Sequence, residues 1–253
     1  MVGTKLYPVY ATTTVIRPII HGKGKQPTYM GNATGTFFKH GNAGYLVTNR
    51  HVVIDETDRY YPDAIEICVH IDTTNLTQNR KIVLPLYNGD KPTWMEHPRK
   101  DWEVDLAVLE TDQLLPQEAE ILQWDKERLL EANLQLPVAA HLAAIGYPMD
   151  FYDRVNNLPV VRLAGLASAY GVFFQEKPFF LIDANLQEGM SGSPVITSVP
   201  RVLMTKDFGF SMDAKPPALL GINSGEFPDP RITTMLGLHK VWYASLIVEI
   251  IEQ

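Results

Sequence analysis

The chain has 253 residues, 45% hydrophobic and 20% charged, enough for one or two compact domains with a substantial core. Its net charge of −7 and the lack of a clustered Lys/Arg block argue against nucleic-acid binding. No run of about 18 apolar residues suggests a membrane span, and a lone cysteine, Cys68, excludes an intrachain disulfide.

Taken in chain order, the pattern is short apolar segments with turn punctuation, as in an all-β sandwich or barrel. Strands are expected over Thr12 to Ile20, Gly35 to Lys39, Gly44 to Thr48, Ala64 to Ile71, Arg80 to Leu86 and Asp105 to Glu110. Cys68 sits in the alternating run Ile65 to Ile71 and reads as a small packed residue. The stretch from Lys91 to Asp101 mixes three basic residues with Glu96 and Asp101 and reads as a solvated loop. From Pro116 to Leu130, a leading proline, early acids and later bases predict a helix. A second set of strands follows: His141 to Gly146, Pro159 to Ser168, Phe179 to Asp183, Ser193 to Thr197, Ala218 to Asn223 and Gly237 to Tyr243. Val199 to Pro217 is the longest connection in this half, and Ala244 to Glu252 reads as a terminal helix packed on it. The expected architecture is therefore all-β: two six-stranded antiparallel barrels, residues 1–115 and 134–253, joined by a helical linker over 116–133 and closed by a C-terminal helix.

Three motifs carry chemistry. His51 ends the run Leu46-Val47-Thr48-Asn49-Arg50-His51, Asp105 leads Asp105-Leu106-Ala107-Val108-Leu109, and Ser191 stands in Gly189-Met190-Ser191-Gly192-Ser193-Pro194. The order is His, Asp, Ser, with separations of 54 and 86 residues (51 to 105, 105 to 191), room for several short strands in each gap. A serine hydroxyl is a weak nucleophile and needs a neighbouring base. Histidine titrates near neutrality and suits that role, and an aspartate behind it fixes the tautomer and stabilises the imidazolium. Glycines beside Ser191 free the backbone to turn the amides of Gly189 and Ser191 toward one developing oxyanion. His40 and His70 lack the strand-end motif, Asp101 does not lead the apolar run directly, and Ser193 lacks the Gly-x-Ser-Gly setting. The reading is a serine endopeptidase working through an acyl-enzyme, with no metal and no cofactor.

On these motifs the chain resembles the trypsin-like (chymotrypsin-fold) serine peptidases, above all their disulfide-free bacterial and viral branches. Gly35-Thr36-Phe37-Phe38 and Tyr45 to His51 match the strands that lead to the base. Ala144-Ile145-Gly146-Tyr147-Pro148 resembles the strand that opens the second barrel, and Leu219 to Gly225 the strand that lines the primary pocket. The resemblance implies that Asn185, six residues before the nucleophile, lies at the base of that pocket and that Gly225 forms its wall. With no acid at 185, a medium or large uncharged side chain is expected before the scissile bond. Asn223 is a candidate partner of Asp105 from the same strand. The secreted relatives carry an aspartate before the serine that pairs with a new N-terminus after cleavage. This chain has Met190 there, so the form starting at Met1 is expected to be competent without trimming.

The start of the chain lacks a signal-like apolar stretch, and with no disulfide a cytoplasmic location is expected. The expected partner is a protein or peptide substrate, with neither nucleic acid nor membrane. Two further classes fit the same residues: a catalytically silent barrel used as a binding module, and an effector protease gated by a regulatory protein partner.

Overall fold

A computed structural model describes residues 7–22, 26–72, 74–130, 135–198, 201–204, 210–213, 216–227 and 236–253. The strands fall close to the segments marked out by alternation. In the N-terminal half they are β1 (Thr13–Ile20), β2 (Ala33–His40), β3 (Ala43–Thr48), β4 (Ala64–His70), β5 (Asn79–Pro85) and β6 (Ala107–Glu110). In the C-terminal half they are β7 (His141–Gly146), β8 (Val160–Leu166), β9 (Phe179–Asp183), β10 (Pro194–Thr197), β11 (Leu219–Glu226) and β12 (Leu238–Tyr243). The second set closes into a six-stranded barrel in the order β7-β8-β9-β12-β11-β10. The first set departs from a closed six-stranded barrel. It is one antiparallel sheet of eight strands, β5-β4-β1-β2-β3-β6, with Trp94–Met95 beyond β6 and Thr28–Tyr29 paired to the end of β1.

Period-two burial explains why this sheet has two apolar faces. Phe37 and Leu46 pack with Ile16, Ile65, Ile67 and Leu84 in a core private to the sheet. Their neighbours Phe38 and Val47 point the other way and join the barrel residues Ile145, Val195, Leu220, Ile222 and Trp242 in one continuous core. The two halves therefore share buried surface.

The helix expected over 116–133 does not form in the described part, 116–130. Its only helical piece is a short 3-10 turn, Lys126–Arg128. The segment instead runs along both halves: the Trp124 amide donates to the Phe37 carbonyl (2.9 Å), the Lys39 amide donates to Trp124 (2.7 Å), and Leu129 bridges to Leu219. Trp124 is fully buried. Burying a large apolar side chain contributes about 1.5–3 kcal/mol, whereas charges at helix ends contribute about 0.3–1 kcal/mol. Tertiary burial outweighs the local helix signals. Residues 131–133 of that expected helix lie outside the described residues.

The stretch from Lys91 to Asp101 is also less solvated than its polarity suggests. Trp94 pairs with Leu109 across β6, and Trp94 and His97 are both buried. The long connection after β10 contains a hairpin, Arg201–Met204 with Phe210–Asp213. The C-terminal helix forms as expected: α2 (Ser245–Ile251) buries Leu246, Ile247, Val248 and Ile250. Cys68 is buried and free, and burial pushes its thiol above the ordinary cysteine range. Among the described residues no helix is long and apolar enough to cross a membrane.

Candidate active site

Strand register brings the first two candidate residues together. Thr48 at the end of β3 pairs with Ala107 at the start of β6, so the residues just past each end face one another. The chain then turns into the single helical turn α1 (Arg50–Val53), which lifts His51 over the sheet edge. Asn49 secures the corner by donating its side-chain amide to the Asp105 carbonyl at 2.7 Å.

The Asp105 carboxylate is fully engaged. Oδ1 accepts the His51 amide at 3.0 Å, and Oδ2 accepts both His51 Nδ1 at 2.8 Å and the Ser224 hydroxyl at 2.6 Å. From the barrel, Ser191 places its Oγ 3.0 Å from His51 Nε2. An unbroken chain of hydrogen bonds thus runs Ser224, Asp105, His51, Ser191 across the junction of the two halves. With Nδ1 donating to a carboxylate, Nε2 of the neutral ring is left as the acceptor facing the serine.

The electrostatics follow from this geometry. Burial pulls the His51 pKa down, but the Asp105 hydrogen bond and charge, with help from Asp55, outweigh burial and a small opposing effect of Lys240. The net position lies above the ordinary 6.5. Burial pushes Asp105 up. The hydrogen bond and charge of His51, then the Ser224 hydroxyl and the His51 amide, hold it below the ordinary 3.8. The aspartate is therefore ionised wherever the histidine titrates.

The turn carrying Ser191 is clamped from the other half. The Thr34 hydroxyl donates to the Gly189 carbonyl (2.8 Å), the Thr36 hydroxyl to the Gly192 carbonyl (2.8 Å), and the Thr34 amide to the Ser191 carbonyl (2.8 Å). Asn223 donates to the Met190 carbonyl at 2.8 Å. The Met149 amide holds the Glu188 carbonyl at 2.6 Å. In a trans peptide the carbonyl and the following N–H point in opposite directions. Fixing the carbonyls of Glu188 and Met190 therefore turns the amides of Gly189 and Ser191 away from the clamp, and neither amide has an acceptor among the described residues. Two such donors beside the Ser191 hydroxyl are the arrangement an oxyanion requires.

Glycine is obligatory at two places in this turn. Gly192 has φ +85°, and a Cβ there would lie 1.9 Å from the Thr34 carbonyl oxygen; Gly189 has φ +89°, and its Cβ would lie 2.4 Å from the Tyr147 carbonyl oxygen. Met190 is fully buried, with its sulfur 3.7 Å from the Ser193 hydroxyl. Met190 is thus an apolar plug beneath the turn.

The other candidates separate cleanly. Asp101 is at the surface in an ion pair with Arg99, His40 lies beside Glu252, and His70 bonds the Asn156 carbonyl. Ser193 is buried behind the turn. Asn185 is exposed, its carbonyl taken by Arg162 and its side-chain oxygen by Gln187, in place of the enclosed pocket base that the resemblance implies. Gly225 has φ +119°, and among the described residues nothing lies within 4 Å of where a Cβ would stand. Asn223 faces Met190, and it is Ser224, one residue further, that reaches Asp105. Alternation along β11 implies that residues 223 and 224 face opposite ways. It does not say which face looks at the aspartate, and an irregularity between Asn223 and Gly225 shifts the register there. Thr34 and Thr36 carried no signal, because β2 reads as an ordinary strand.

The sequence profile of the trypsin-like peptidase domain matches residues 33–203. No protein of curated function matches the chain. Among solved structures, the chain is similar to Rv3671c from M. tuberculosis H37Rv, a serine-to-alanine mutant in its inactive form. That match has 17% identity, 96% of this chain and 86% of that chain covered, and a TM-score of 0.46. It is similar too to the Rv3671c protease in its inactive form, at 17% identity, 96% and 88% coverage and a TM-score of 0.45.

Proposed function

The chain belongs to the trypsin-like peptidase domain family, and from that premise we propose that it is a serine endopeptidase in which Ser191 is the nucleophile, His51 the general base and Asp105 its orienting anion. The observation that carries this reading is the continuous chain of short hydrogen bonds from Ser224 through Asp105 and His51 to Ser191. Ser191 Oγ attacks the scissile carbonyl while His51 Nε2 takes its proton. The carbonyl oxygen becomes an oxyanion between the Gly189 and Ser191 amides. The imidazolium then protonates the leaving amine, and the acyl-serine is released by water that His51 activates in turn. On the acyl side, the open space at Gly225 supports a medium or large uncharged residue before the scissile bond.

The test is labelling of the intact chain with a fluorophosphonate, followed by cleavage of a peptide library. Because Met190 plugs the space beneath the turn and Thr34 and Asn223 clamp it from above, the untrimmed chain is expected to label at Ser191. Labelling that appears only after trimming to Val15 or Ile16 would contradict a preassembled turn. A folded chain that never labels would leave the fold as a binding module, and labelling that needs an added protein factor would make it a partner-gated protease.

The pH profile is a second expectation. The neutral imidazole is the competent base, so kcat/KM rises with pH as His51 loses its proton. The inflection is expected above the ordinary histidine value of 6.5, since Asp105 stabilises the charged ring. A rate flat between about pH 5 and 9 on a substrate limited by chemistry excludes a histidine base.

A further inference from the structure

Ser191 and His51 line a groove of about 520 Å³ together with Met30 and Asn32 before β2 and Asp55, Asp58 and Tyr60 after α1. In the proposed mechanism His51 hands its proton to the leaving amine, and the groove is lined by His51 and by residues of the loop that follows α1, which assigns it to the leaving-group side of the scissile bond. Its charged walls have one sign. Asp55, Asp58 and Glu188 line it, and no lysine or arginine does among the described residues. None of the three carboxylates is in an ion pair among the described residues, and Asp58 and Glu188 are exposed. Of the arginines nearby, Arg17 is held by Asp150 and Glu66 and Arg50 by Glu56 and Glu96, while Arg59, beside Asp58 on the loop after α1, does not line the groove. Met30 and Tyr60 supply apolar wall between the acids.

We propose that this groove selects substrates with a lysine or arginine within the first three residues after the scissile bond. The inference rests on Ser191 being the nucleophile. The groove itself is marked out by the reacting pair Ser191 and His51; the carboxylates set which peptide suits it. A lysine or arginine side chain lays its methylene stem along apolar wall and keeps its charged end in water near anions. Met30, Tyr60 and the three carboxylates provide that combination within one groove. A glutamate in the same place meets only like charge.

The experiment holds the acyl-side sequence constant and places Lys, Ala or Glu at each of the first three leaving-side positions. It uses the intact chain and an Asp58→Asn/Glu188→Gln variant. Exposed charge pairs are individually weak, and two or three acting together predict a preference for Lys over Glu of roughly tenfold in kcat/KM at one position. The preference should shrink at 1 M salt, where the Debye length is about 3 Å, and fall to about threefold or less in the variant. Equal turnover of Lys and Glu peptides, or an undiminished preference in the variant, overturns the proposal. Fluorophosphonate labelling of both proteins separates the two levels. Labelling with a flat preference removes only the subsite assignment, whereas loss of labelling in the intact chain removes the peptidase reading and this inference with it.

Discussion

Replacing Ser191 with alanine is expected to lower kcat by roughly six orders of magnitude, the scale seen when the nucleophile of such a triad is removed. Among the described residues, the Ser191 Oγ is the group placed 3.0 Å from His51 Nε2 to accept an acyl group. His51→Ala should cost about as much, and the double variant no more than either alone, because nucleophile and base act as one unit. The residual rate reflects the free amides of Gly189 and Ser191, which do not depend on the hydroxyl. Thermal unfolding of Ser191→Ala should match that of the parent, since the clamp on this turn uses the Ser191 carbonyl and its neighbours rather than the side chain. Full turnover by a folded Ser191→Ala protein would refute the assignment.

Asp105→Asn should come next, at roughly 10⁴-fold in kcat. The change keeps the shape but replaces an acceptor-only carboxylate by an amide that can present a donor to His51 Nδ1. The ring then adopts the tautomer whose proton faces Ser191, and the base is lost. Because Asp105 holds the imidazolium, the rising limb of the pH profile should also move down. Ser224 is a positioning residue in this scheme, since it touches only the carboxylate. Removing its hydroxyl in Ser224→Ala should cost roughly tenfold, the lower end of the roughly 1.5–3 kcal/mol that a hydrogen bond to a charged group contributes. The variant leaves more negative charge facing His51, so the pH limb should move up. An Asp105→Asn protein with parental kcat and pH profile would show that the histidine needs no anion behind it.

Much of this was legible in the chain because the signals are local. Period-two burial marked the strands on which the site stands, with ends displaced by a few residues. Residue chemistry and chain order singled out His51, Asp105 and Ser191, since few side chains can serve as base, orienting anion and nucleophile. Glycine at 189 and 192 announced a turn that no side chain could adopt.

What only the tertiary structure decided depends on which surfaces meet. The segment 116–130 has the charges of a helix, yet Trp124 finds a buried place between the two halves and the backbone follows it into extended pairing. The first sheet remains an eight-stranded array where a six-stranded barrel was expected, because hydrogen-bonded closure depends on stagger and twist, which alternation does not encode. The Thr34, Thr36 and Asn223 clamp, the choice of Ser224 over Asn223 as partner of Asp105, and the exposure of Asn185 are all contacts between residues far apart in sequence. The types of residue needed for the chemistry were visible in sequence, where composition and spacing suffice. Their aim was set in space, by the packing of one half of the molecule against the other.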